Sequence, residues 1–187
     1  MKFNTILSPA DSQSVLSAIV ALRHHTSVRA KGVRQTGSSL HQFVAELDAQ
    51  AKAWHMVDDR GHISSASDGV VTAEPDPPHA VAFPRGKPEE MRLLHPEALL
   101  MWGRFGESFY PMLVQEIGRQ SLLITFEHVD DPAFRATAVV NRTTGIIEKL
   151  AILGDVTILT EVKIDVPLAR DSSPDFIPVT DWIRPDY

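Results

Sequence analysis

Near its C-terminal end the chain alternates apolar and polar residues over a full strand length, and this constrains the fold more than any other feature. Val156, Ile158, Val162, Ile164 and Val166 alternate with Thr157, Glu161, Lys163 and Asp165. A period of two sends one set to each face of a sheet, so one face is covered and the other meets water. Upstream, residues 121–129, 134–141 and 146–153 are also strand-like. The breaks between them carry turn chemistry: Asp130-Asp131-Pro132, then Asn141-Arg142-Thr143-Thr144-Gly145, then the two-residue hairpin signal Gly154-Asp155. The C-terminal third therefore reads as a four-stranded antiparallel meander.

Ahead of the meander the pattern reads as helical. Ser8, Pro9 and Asp11 give a helix start, followed by an apolar stripe through Val15, Ile19 and Leu22. A second helix is expected from Ser39, with Gln42 completing a capping box and Leu40, Phe43, Val44, Leu47, Ala51 and Trp54 on a 3.6-residue period. Over residues 96–118, Leu99, Leu100, Trp102, Phe109, Leu113 and Ile117 suggest two short helices, broken by Gly103, Gly106 and Pro111. The fold class these readings give is α+β: N-terminal helices, then two short helices packed on one face of a four-stranded antiparallel β-meander.

Four regions follow. Residues 1–57 form a helical N-terminal part with two helices. Residues 58–90 contain five prolines, three glycines and a Ser64-Ser65-Ala66-Ser67 cluster, and read as a loop or linker, with short strands at Val70–Ala73 and 80–83. Residues 91–166 are the α+β core. Residues 167–187 are a Pro/Asp-rich tail whose Phe176, Ile177, Trp182 and Tyr187 argue that it docks on its own domain or on a partner.

Composition excludes some chemistry outright. With no cysteine, disulfides, thiolate metal sites and cysteine nucleophiles are absent. The apolar content of residues 1–9 is too short for a signal peptide, so the expected compartment is the cytoplasm, and no apolar run approaches the length of a membrane span. Charge is uneven. Residues 1–57 carry six Lys/Arg against three Asp/Glu, whereas the remainder carries twelve against twenty-one. Such asymmetry suits electrostatic pairing with a partner.

No motif names a reaction. The eight histidines show no H-x-H or H-E-x-x-H spacing, so neither a metal nor a cofactor is expected and no catalytic residue is assigned. Gly106-Glu107-Ser108-Phe109-Tyr110 lacks the final glycine of a nucleophile elbow. The basic concentration Arg23, Arg29, Lys31 and Arg34, together with Arg104, is a candidate partner- or anion-binding set. His95, Trp102, Glu107 and His128 are candidates for lining a pocket between helices and sheet.

The stretch Trp102-Gly103-Arg104-Phe105-Gly106-Glu107 is the most suggestive. A G-x-x-G turn holding a basic residue, with a strand after it, resembles the loop of a KH domain over residues 95–126. That resemblance implies clamping of a single-stranded nucleic-acid backbone. Phe105 inside the turn, Pro111 after it and strands where the family has a helix depart from the pattern. The leading expectation is instead a non-enzymatic protein that binds another protein, as an inhibitor or a neutralising partner of the immunity type. A cone-shaped small-molecule-binding or enzymatic domain is the alternative, and KH-like nucleic-acid binding comes third.

Overall fold

The computed structural model describes residues 2–67, 70–73, 76–80, 87–167 and 176. Its centre is one antiparallel sheet of eleven strands, which corrects the α+β expectation of four strands under helices. The strands are β1 (Ser27–Thr36), β2 (Ser39–Asp48), β3 (Ala53–Asp58), β4 (Ile63–Ser67), β5 (Val70–Ala73), β6 (Asp76–Ala80), β7 (Phe109–Ile117), β8 (Ser121–His128), β9 (Arg135–Asn141), β10 (Ile147–Ile152) and β11 (Asp155–Ile164). Their order across the sheet is β6-β5-β4-β3-β2-β1-β11-β10-β9-β8-β7. Two meanders are thus joined through the pairing of β1 with β11.

Helical structure is sparse: a short 3-10 turn at Pro9–Asp11, α1 (Ser12–Val20), α2 (Glu89–Leu94) and a second 3-10 turn at Pro96–Ala98. The first helix starts as its sequence dictates, with Ser8 and Asp11 bonded in a capping box. Among the described residues no helix is long and apolar enough to cross a membrane.

The expected second helix is two strands. Phe43, Val44 and Leu47 satisfy a helical period, yet every residue from Phe43 to Leu47 is buried. Phe43, Ala45 and Leu47 lie in register with β1's Gly32, Ala30 and Val28 on one face, while Val44 and Glu46 lie on the other. A strand covered on both faces loses its alternation, and its apolar run then fits either period. The signal that distinguishes the two lies beside it. Gly37-Ser38 joins paired Thr36 and Ser39, with Gly37 at φ +57°, which is a hairpin rather than a helix start. The second of the two helices expected over 96–118 is likewise strand β7, whose Pro111 sits at a bulge on an edge, where a missing N–H costs no ladder bond.

The described helices pack on the face that carries Phe43, Ala45 and Leu47. From β6, at one edge, the chain returns to β7 at the opposite edge, and on the way α2 packs on β2 and β10. Met91, Leu93 and Leu94 of α2, Val15, Leu16 and Ile19 of α1, and Trp102 form one core with Phe43, Ile124, Phe126 and Leu150 of the sheet. Residues 4–7 run beside the β7 edge, where Asn4 N–H donates to Val114 O (2.9 Å) and Leu7 N–H to Met112 O (2.8 Å), satisfying two edge carbonyls. The expectation that the tail docks falls, apart from Pro167 and Phe176, outside the described residues, as do residues 81–83 of the expected second short strand.

Gly32 is the tightest point of the sheet. A Cβ there would lie 2.4 Å from the Phe43 ring and 2.7 Å from Ile158 O, at the register shift between β1 and β11. Gly32→Ala is expected to destabilise the fold by roughly 1–3 kcal/mol, since backbone and ring must both yield. Urea unfolding followed by tryptophan fluorescence measures it.

Candidate functional site

The basic set proposed from sequence does not converge. Arg29 and Lys31 alternate with Val28 and Ala30 along β1, so they stand on the outer face. There Arg29 lies 3.4 Å from Glu46, and Lys31 and Lys163 lie 4.0 and 2.7 Å from Glu161. Arg23 makes a two-pronged ion pair with Glu97. The Lys87 ammonium is buried nearby, and burial lowers its pKa to about 8. Burial, and then Lys87, push His95 down to about 4, so its imidazole is neutral at physiological pH.

Arg34 is on the covered face and holds α2 to the sheet. Its guanidinium donates to Asp155 (3.1 and 2.5 Å), to Glu89 (2.7 Å) and to Glu90 (3.1 Å), and His41 Nε2 lies 3.3 Å from Glu90. One guanidinium thus answers three carboxylates, with Arg92 acting on Glu89 electrostatically. Burial raises the Glu89 pKa from 4.5 despite Arg34. The folded chain therefore binds that proton more tightly than the unfolded chain, and stability falls as pH rises from 4.5 through the raised value. Glu89→Gln should remove this part of the slope, so the stability difference between variant and wild type moves in the variant's favour from pH 4.5 towards neutrality. Urea midpoints across that range measure it.

The turn at residues 102–107 is the most organised surface feature. Gly103 needs both its positive φ (+68°) and its missing side chain, because a Cβ would meet Ser12 Oγ at 2.9 Å and Tyr110 Cβ at 3.1 Å. The Glu107 carboxylate, only 6% exposed, accepts from Trp102 N–H (2.7 Å), from Arg104 N–H (3.3 Å) and from Arg104 Nε (2.7 Å). The same guanidinium donates to the Glu97 (3.2 Å) and Leu99 (2.7 Å) carbonyls. Behind the turn, Trp102 is buried, donating from Nε1 to Pro96 O (2.8 Å) and meeting Phe126 edge-on at 5.4 Å. Arg104 is consumed in building the turn. Phe105 is what the turn presents, at 108% exposure.

Leaving a phenyl ring in water forgoes roughly 1.5–3 kcal/mol of burial energy, and here the ring sits on a backbone fixed by a buried carboxylate. Arg104, Trp102 and Glu107 are the candidates that the sequence offered in this segment, and Phe105 was not among them. The context of a KH loop is not met, because the turn joins a 3-10 turn to strand β7 and its arginine is bonded to Glu107 and to two carbonyls. Of the candidate pocket residues, loop packing brings His95, Trp102 and Glu107 into one neighbourhood. His128 stands apart, stacked edge-on against Phe109 (5.1 Å) and Phe134 (5.8 Å).

None of those four lines either of two shallow hollows. One of about 160 Å³ is lined by Glu46, Ala53, Trp54, His55 and Ser65–Ser67, and one of about 140 Å³ by Arg29, Lys31, Glu161 and Lys163. Among the described residues no group of three or more His, Asp or Glu is placed to hold a metal ion.

No protein-family model and no characterised protein sequence matches the chain. Solved structures do. One is an uncharacterized conserved protein from Thermus thermophilus, 6% identical, with a TM-score of 0.53 over 84% of this chain and 90% of that one. Another is the MucA/MucB complex of Pseudomonas aeruginosa, 13% identical, TM-score 0.50, covering 86% of this chain and 59% of that one. The likeness is one of fold alone. This chain spans 59% of the chain it matches in that complex. The cytoplasmic expectation is corrected: solved structures of this fold include the MucA/MucB complex, and nothing in the fold places the chain in the cytoplasm.

The turn's rigidity rests on Glu107. Glu107→Ala leaves the Trp102 N–H and the Arg104 guanidinium without their acceptor, and should cost about 2–3 kcal/mol, the scale of charge-assisted bonds in a shielded site. Faster hydrogen exchange at the Trp102 amide, together with a lower urea midpoint, is the expected result.

Proposed function

We propose that this chain is a non-enzymatic binding protein that engages a partner protein through the Phe105 turn. The observation that carries the reading is a fully exposed aromatic ring on a turn locked by Glu107 and Arg104. Aromatic anchors that enter a partner's pocket supply most of the energy of many interfaces, and pre-organisation reduces the entropy lost on docking. The fold lends support of a general kind, since a structure of this architecture has been solved as the MucA/MucB complex. Occupying a partner's functional surface would make the chain an inhibitor or a neutralising partner.

The small-molecule alternative has less support. The space between helices and sheet is filled by Trp102, Met91, Leu93, Leu94, Phe43 and Phe126, all essentially inaccessible to solvent. Nucleic-acid binding through the turn is disfavoured by Arg104 being bonded to Glu107 and to two carbonyls.

Phe105→Ala should weaken partner binding by at least about 2 kcal/mol, near thirtyfold in Kd. Unfolding stability should move by no more than about 0.5 kcal/mol, because the ring touches solvent rather than core. Affinity capture of the partner with wild-type bait, then titration calorimetry with both forms, makes the comparison. Equal affinities would end the reading.

A further inference from the structure

Phe105 is one member of a larger apolar surface at this end of the sheet. Ser108, three residues on, accepts a backbone bond from Val129 N–H (2.8 Å), which brings the β8–β9 connection alongside the turn. Val129 is 48% exposed, and Leu100, beside the Leu99 carbonyl that holds Arg104, is 50% exposed. Behind Val129, the rings of Phe109, His128 and Phe134 pack mutually at 5.1–5.8 Å and are half-buried. Scattered apolar residues need no explanation, but Phe105 and Val129 stand on two loops joined by that bond, and Leu100 stands on the segment that Arg104 ties to the turn, so we group the three as one patch.

The charges around this patch are unbalanced. Arg104 is bonded to Glu107, and Arg135 lies 3.5 Å from Glu127, which also accepts from Tyr110 Oη (2.7 Å). Glu97 is taken by Arg23. His128 Nδ1 accepts from Asp130 N–H (3.2 Å). What remains are the exposed Asp130 and Asp131, the latter also capping Ala133 N–H at 3.0 Å. The cations here are matched within the patch, while two adjacent aspartates are left facing solvent.

We infer that the partner presents an apolar cleft that receives Phe105, flanked by lysine or arginine that meets Asp130 and Asp131. This rests on the protein-binding reading above and adds the partner's chemistry to it. An apolar centre gives affinity, and a rim of opposite charge gives orientation and association rate. A lipid surface fits less well, because a membrane of anionic headgroups repels the two aspartates.

The test pans a random twelve-residue peptide display library on the full chain. Selected peptides are then titrated against wild type, Phe105→Ser and the double variant Asp130→Asn/Asp131→Asn. Asparagine keeps the oxygen that caps Ala133, so the turn survives the double substitution. The expected peptides carry an aromatic or aliphatic core flanked by Lys or Arg. Phe105→Ser should weaken them by about tenfold or more. The double variant should weaken them by about threefold to tenfold at low salt, with most of that difference gone at high salt. Peptides that depend on Phe105 but lack basic residues, and ignore the double variant, would overturn this inference and leave the protein-binding reading standing. Failure to recover any Phe105-dependent peptide would remove both. Phe105-dependent sedimentation with phosphatidylcholine vesicles would replace the protein cleft with a lipid surface and overturn the inference as well.

Discussion

The pairing of β1 with β11 is the constraint on which the molecule depends. Without it there would be two separate meanders, β1 to β6 and β7 to β11, with open edges at β1 and at β11. Residues Val28 to Thr36 meet Ile164 to Asp155 across more than a hundred residues of chain, and the join places Val28, Ala30 and Gly32 on the same covered face as Leu159. Only then does one continuous surface exist for α1, α2 and Trp102 to bury. The absent side chain of Gly32 is what lets the Phe43 ring lie across that seam.

Coverage of the sheet is economical, and polar contacts share the labour with apolar ones. α2 has six residues, too few to be stable alone, so its place is set by Met91, Leu93 and Leu94 below and by the Arg34 cluster at its side. The cluster has more carboxylate than guanidinium, which makes this attachment the pH-sensitive part of the core. At the far end, Glu107 performs a comparable function with the opposite result, since its buried charge holds a loop out from the core rather than an element against it.

The meander from Ser121 to Ile164 was legible in its turns and in the alternation of β8 and β9, but in β11 the register shift turns Thr157 and Leu159 inward and leaves Ile158 exposed, against the alternation read there. The first helix was legible through Ser8, Pro9 and Asp11. What misled was burial on both faces. From Phe43 to Leu47 the strand is enclosed, and its run of apolar residues imitates a helix closely enough for Ser39 and Gln42 to look like a cap. The alternation in Val28-Arg29-Ala30-Lys31 is that of a strand with one basic face, so the cations that looked like a binding set are spread along it. The site was half legible. Two glycines three positions apart, Gly103 and Gly106, mark a tight turn in any context. The direction of Arg104 and Phe105, by contrast, depends on Glu107 and on carbonyls that only the folded loop brings within reach.

The seam between β1 and β11 also has a meaning for synthesis. Strand β1 is complete when the ribosome has made residue 36, but its second neighbour is finished only at residue 164. At ordinary translation rates that interval is on the order of ten seconds. Throughout it the growing chain carries one side of β1 with its backbone groups unpaired, beside the apolar face that β2 and β3 have begun to form. Folding by long-range closure is slow, and an exposed edge of this kind invites pairing with other chains. Until its last strand arrives, the growing chain thus carries at β1 an unpaired edge that the finished sheet closes.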